Sequence, residues 1–131
     1  MFQGSMVAIV TPMNSDGSLD IKSFKGLLDY HIECKSDGVV VVGTSGEAPT
    51  MDVDEHTYLI KEAVKHVDGR IPVIAGSGAN STREAIFLTK KSKELGQFFK
   101  WGMVEVPTTK GHSNTEQMVP YAAEMFYARL K

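Results

Sequence analysis

The feature that most constrains this chain is a repeated alternation. Short, unbroken apolar runs rich in β-branched residues recur, each followed by a segment with helical spacing. Ser5 to Pro12 (SMVAIVTP), Gly38 to Val42 (GVVVV) and Ile71 to Gly76 (IPVIAG) are the runs, and Trp101 to Val106 reads as a fourth. Strands with no polar alternation are strands covered on both faces, as in parallel sheets with crossover helices. Between them, Ile21, Phe24, Leu27, Leu28 and Ile32 mark one helix face, with Asp20 as its cap. Asp52 and Glu55 form a capping-box start for a second helix carrying Leu59, Ile60, Ala63, Val64 and Val67, which Asp68-Gly69 stops. Ser81 and Glu84 repeat the box before a third helix running to Gly96, and Pro120 opens a last one. The pattern alone fits a doubly wound sheet and part of a barrel equally well. In both, chemistry gathers at the carboxyl ends of strands, which selects the loops 11–20, 43–51, 76–82 and 107–115.

The chain of 131 residues is one domain's worth of material, and a net charge of −2 argues against nucleic acid or an anionic membrane as the main partner. Cys34 is the sole cysteine, so no internal disulfide forms and a reducing, cytoplasmic setting is expected. No apolar run reaches the ~18 residues of a membrane span, and the first residues lack the basic start of a signal peptide. The histidines and the seven methionines show no metal-ligand spacing.

The valine run ends on Gly43-Thr44-Ser45-Gly46-Glu47. Two hydroxyls and backbone N–H groups flanked by glycines suit a small anion such as a carboxylate. No lysine follows the second glycine, so this is not a phosphate-binding P-loop.

Three stretches in register, MFQGSMVAIVTPM, VVGTSGEAPTMDVDEH and DGRIPVIAGSGANSTREAIFLT, resemble the dihydrodipicolinate synthase group of the pyruvate-dependent aldolases. The likeness runs from Met1 to about Gly96, with residues 97–131 a divergent fourth unit of the same domain. It implies an α/β fold of the TIM (β/α)8-barrel family, here its first four β/α units. It also implies a lyase that condenses pyruvate with aspartate semialdehyde through a lysine Schiff base, on the route to lysine, without a cofactor. By position, Thr44 is implied as a proton-relay member and substrate ligand, and Ser45, where most relatives carry threonine, as a carboxylate ligand. Ala48, Pro49, His56, Asn80 and Glu84 are implied as a feedback site for lysine, although Val53 replaces a histidine of that set. A sialic acid or sugar-acid aldolase is the rival within the superfamily, and a non-catalytic interaction module the rival outside it.

A whole barrel of this type needs ~250 residues, and the implied Schiff-base lysine falls beyond Lys131. Lys22, Lys25, Lys61, Lys65, Lys90, Lys91 and Lys93 belong to solvent faces of helices, Lys35 and Lys100 to the wrong end of strands, and Lys110 to a polar loop. None has the dry or cationic surroundings an imine-forming amine needs. The expected partners are therefore pyruvate, a small aldehyde, and either a second copy or a complementing C-terminal half.

Relatives carry Pro-Tyr-Tyr at the end of strand four, and this chain reads VPTTKGH, with Thr109 at the relay position. A DNA string encoding Val-Pro-Thr-Thr-Lys-Gly-His, shifted by two bases, reads Pro-Tyr-Tyr-Lys-Arg-Pro. Residues 97 to 112 are accordingly read as a local frame slip.

Overall fold

The structure is a computed structural model that describes residues 4–95. The fourth strand, the last helix, Thr109, Lys110 and the 97–112 segment lie outside the described residues. Element order is β1 (Met6–Ala8), α1 (Ile21–Glu33), β2 (Gly38–Val41), α2 (Val53–Val67), β3 (Val73–Ala75) and α3 (Thr82–Leu95). Two single 3₁₀ turns, Thr44–Gly46 and Ala48–Thr50, stand between β2 and α2.

The strands are shorter than their apolar runs. β1 stops at Ala8, although the Ile9 N–H still donates to the Val40 carbonyl at 3.1 Å. Beyond it Pro12 has no N–H to give, and its carbonyl accepts instead from Asp20 at 2.9 Å. That bond closes a loop whose Asn14, Asp16 and Ser18 bond one another, so the turn is self-supporting. β3 begins only at Val73, after the Pro72 carbonyl has accepted the Val39 N–H.

The sheet is wholly parallel in the order β1-β2-β3, with Val7 opposite Val39 and Val39 opposite Val73. That register aligns alternate residues into faces. Val7, Ile9, Val39, Val41, Val73 and Ala75 share one core with Phe24 and Leu28 of α1 and with Leu59, Ile60, Ala63 and Val67 of α2. α1 and α3 flank α2. Lys25 of α1 pairs with Glu62 of α2, and Asp29 pairs with His66 at 2.9 Å and Arg70 at 3.2 Å. The two crossovers advance in one direction along the sheet, and their helices α1 and α2 pack on the same face. The opposite face is apolar and partly open: Ala8 is exposed, Val40 half-buried and Val10 56% exposed.

The caps of α1 and α2 follow the sequence closely. Asp20 accepts from the Ser23 N–H at 2.9 Å. Asp52 and Glu55 make both halves of the capping box, at 2.8 and 3.2 Å. Asp68 ends α2 in the left-handed region. At α3 only the backbone bond from the Ala85 N–H to the Ser81 carbonyl is made, at 2.9 Å, and the side-chain box expected of Ser81 and Glu84 is not formed.

Candidate active site at the carboxyl end of the sheet

Thr44 and Ser45 stand just beyond β2, after Val42 and Gly43, at the carboxyl end of a parallel sheet. The chain leaves that strand under strain. Val42 has φ +53° and is nevertheless 1% exposed, a conformation that a β-branched residue adopts only at a cost of about 1–3 kcal/mol. Glu47, at φ +61°, makes the second sharp bend. Between them the Gly46 N–H donates to the Gly43 carbonyl at 2.9 Å and the Glu47 N–H to Thr44 at 3.1 Å. Of the backbone N–H groups that the sequence offers here, the 3₁₀ turn uses the later ones for itself. The first residues of a turn have no acceptor within it, so Thr44 and Ser45 carry the open donors, and both are exposed.

Two neighbours fix this turn. The buried Thr11 hydroxyl donates to the Gly46 carbonyl at 2.7 Å and ties the end of β1 to the turn after β2. A Cβ on Gly46 would come within 3.2 Å of both Thr11 Oγ1 and the Ile9 carbonyl, so the glycine permits that approach. On the other flank, the Gly76 N–H donates to the Val41 carbonyl at 2.9 Å. A Cβ on Gly76 would overlap the Val42 carbonyl and lie 2.8 Å from the Gly43 nitrogen. Neither Thr11 nor Gly76 was singled out from the sequence. The threonine-proline pair closing the first run was the available signal for one, and the glycine ending the third run for the other.

Beside the turn lies a cavity of about 310 Å³. Six of the seven site residues inferred from sequence line it: Thr44, Ala48, Pro49, His56, Asn80 and Glu84. Ser45 does not. Val42, Gly43, Met51, Asp52, Val53, Gly76, Gly78, Ala79 and Leu88 complete the wall. His56 is 3% exposed, and its Nε2 lies 2.6 Å from the Gly76 carbonyl. A carbonyl only accepts, so the ring donates from Nε2 and keeps Nδ1 as an acceptor. Burial holds its pKa below the ordinary histidine value, against the smaller opposing pulls of the Gly76 bond and of Glu84. The wall therefore combines a neutral imidazole, a primary amide and two carboxylates, a donor set suited to an amine rather than to phosphate. Among the described residues no cluster of histidine, cysteine or acidic groups has the arrangement of a metal site. The helix-borne Lys22, Lys61, Lys65, Lys90, Lys91 and Lys93 are exposed, as their spacing implied, and Lys25 is taken by Glu62. No helix among the described residues is long and apolar enough to cross a membrane.

The sequence model of the dihydrodipicolinate synthetase family matches residues 1–126. The chain belongs to this family. A 4-hydroxy-tetrahydrodipicolinate synthase of Nitrosomonas europaea is 67% identical over 96 residues, which is 73% of this chain and 33% of that protein. The synthase of Dechloromonas aromatica is 52% identical over 128 residues, 95% of this chain and 44% of that one. Among solved structures, the chloride-inhibited dihydrodipicolinate synthase of Acinetobacter baumannii complexed with pyruvate superposes with a TM-score of 0.83 at 46% identity. It is matched over 95% of this chain and 43% of its own. The chain thus spans between a third and a half of the length of these members of the dihydrodipicolinate synthetase family.

Proposed function

We propose that this chain is the N-terminal part of a pyruvate-dependent lyase, nearest in chemistry to 4-hydroxy-tetrahydrodipicolinate synthase, and that it supplies the pyruvate-holding turn of a barrel completed elsewhere. The observation that carries the reading is the placement of Thr44. A hydroxyl and an open N–H stand at the carboxyl end of the middle strand, on a strained bend braced from both neighbouring strands. A pyruvate carboxylate there gains charge-assisted hydrogen bonds from the Thr44 and Ser45 N–H groups and hydroxyls. Thr44 then serves as a member of the proton relay. The Schiff-base lysine, which makes the substrate carbonyl an electron sink for condensation with a small aldehyde, comes from the C-terminal half. The partial-barrel fold fits this reading. α1 and α2 share one side of the sheet, and the apolar far side with Val10 and Val40 suits the interior of a closed barrel.

The cavity lined by Ala48, Pro49, His56, Asn80 and Glu84 is proposed as a site for lysine acting as feedback inhibitor. Its two carboxylates and neutral histidine match an ammonium group, and Val53 narrows the polar part of the wall.

Borohydride trapping with pyruvate tests the catalytic part. The chain alone gives no adduct, and the chain mixed with the C-terminal half of a relative gives one, on that half's lysine. Thr44→Val in the mixture lowers condensation sharply while the imine can still be trapped. Undiminished turnover by Thr44→Val overturns the assignment.

A further inference from the structure

His56 has a structural task that its place in the cavity wall does not reveal. Its ring is buried under the end of β3 and donates to the Gly76 carbonyl at 2.6 Å. That carbonyl belongs to the one residue whose missing side chain lets the Val42–Gly43 peptide pass against β3. Val42 is the residue strained to φ +53°, and Gly43 is the cap of the turn bearing Thr44 and Ser45. From imidazole to substrate-facing hydroxyl there is one hydrogen bond, one backbone contact and two residues of chain. A strained conformation persists only where its surroundings over-determine it. Here the Gly76 N–H holds the Val41 carbonyl from one side of the same residue whose carbonyl His56 holds from the other.

We infer that His56 is a positioning residue, which pins Gly76 through its Nε2–H and so fixes the orientation of the Gly43–Ser45 turn. The consequence reaches the cavity. Whatever contacts the His56 ring or Glu84 beside it also acts on the clamp, in addition to any contact it makes with Thr44, which lines the same cavity. The inference rests on the proposed role of the turn only for its functional meaning. The test reads the turn itself, so loss of the pyruvate assignment leaves it standing, and its own loss leaves that assignment standing.

Nuclear magnetic resonance on the isotopically labelled full chain provides the test. In the unaltered protein, the long-range nitrogen–proton pattern of the His56 ring shows the Nε2–H tautomer. The Nδ1–H tautomer overturns the inference without any variant. In His56→Leu, which fills the space but cannot donate, the amide signals of Gly76, Gly43, Thr44 and Ser45 shift while those of α1 stay. In His56→Asn, a side-chain amide restores a donor and returns the turn signals toward their original positions. Unmoved turn signals in His56→Leu, or equal displacement in both variants, overturns the inference.

Discussion

Gly76 and Gly26 separate two meanings of the same residue type. At Gly76 a methyl group would enter the Val42 carbonyl, and backbone cannot rotate out of the way as a side chain can. Gly76→Ala is expected to lose about 3 kcal/mol, the upper end for overpacking, with amide shifts centred on Gly43. Gly26 lies in α1 with nothing within 4 Å of a built Cβ, so Gly26→Ala gains about 1 kcal/mol from helix propensity alone. Urea denaturation of the two variants checks both signs. His56 adds a pH dependence. Its pKa is lowered in the folded state, chiefly by burial, from an ordinary 6.5, so below that value the unfolded chain binds a proton the folded one refuses. The stabilisation is complete above pH 6.5 and drains away as pH falls from there toward the folded pKa. Glu84 and Asp52 face the same cavity, and Glu84 limits the loss. Denaturation midpoints between pH 7 and 5 should fall more steeply in the native protein than in His56→Leu.

At the scale of elements, the helices were legible because their signals are local. Asp20, Asp52 with Glu55, and Asp68-Gly69 lie within a few residues of what they cap, and the face Leu59, Ile60, Ala63 and Val67 is read by counting in threes and fours. These two kinds of signal differ in weight. Leu59 is fully buried, and Leu59→Ala should cost about 2–5 kcal/mol. Asp52→Ala, which removes one exposed cap, should cost about 1 kcal/mol. Thermal melts of the pair establish the ratio. The site was legible in a different way. The hydroxyl pair was readable from its glycine-flanked turn, its roles and the five cavity residues came from likeness to a family, and only folding shows that six of the seven surround one space while Ser45 stands outside it. The strain at Val42 and the bonds from Thr11 and His56 to glycine carbonyls join residues 20 to 35 positions apart. No periodicity encodes such contacts. Between helices, Asp29 lies 2.9 Å from His66 Nε2 and accepts from Arg70 at 3.2 Å, and these neighbours, His66 first, with desolvation opposing, hold its carboxyl below the usual range. Asp29→Asn should lower the denaturation midpoint near neutrality, where the stabilisation is present in full, and remove the part of acid lability that appears as pH falls from the ordinary carboxylate value toward that lowered one.

At the scale of the whole molecule, the decisive property is that the described residues form a parallel sheet with helices on one side and an apolar surface on the other. Parallel strands are found with both faces covered, and unpaired strand edges recruit further strands. Among the described residues, β1 and β3 pair only with β2. Register settles which residues face away from the helices. Val7 and Ile9 pack into the helix-side core, so Ala8 and Val10 point the other way, with Val40 beside Ala8 on β2. A chain in this condition should associate with itself until something else covers that face. Sedimentation velocity over a range of concentrations is expected to show reversible growth in mass. Val10→Lys, a charge placed on the 56% exposed position, should reduce that growth without moving the denaturation midpoint. Addition of the C-terminal half of a relative should abolish it and leave one species of summed mass. A chain that stays monomeric at every concentration, with Val10→Lys indistinguishable from it, would mean that the far face is already covered from within. The half-barrel reading would then give way to a self-contained domain.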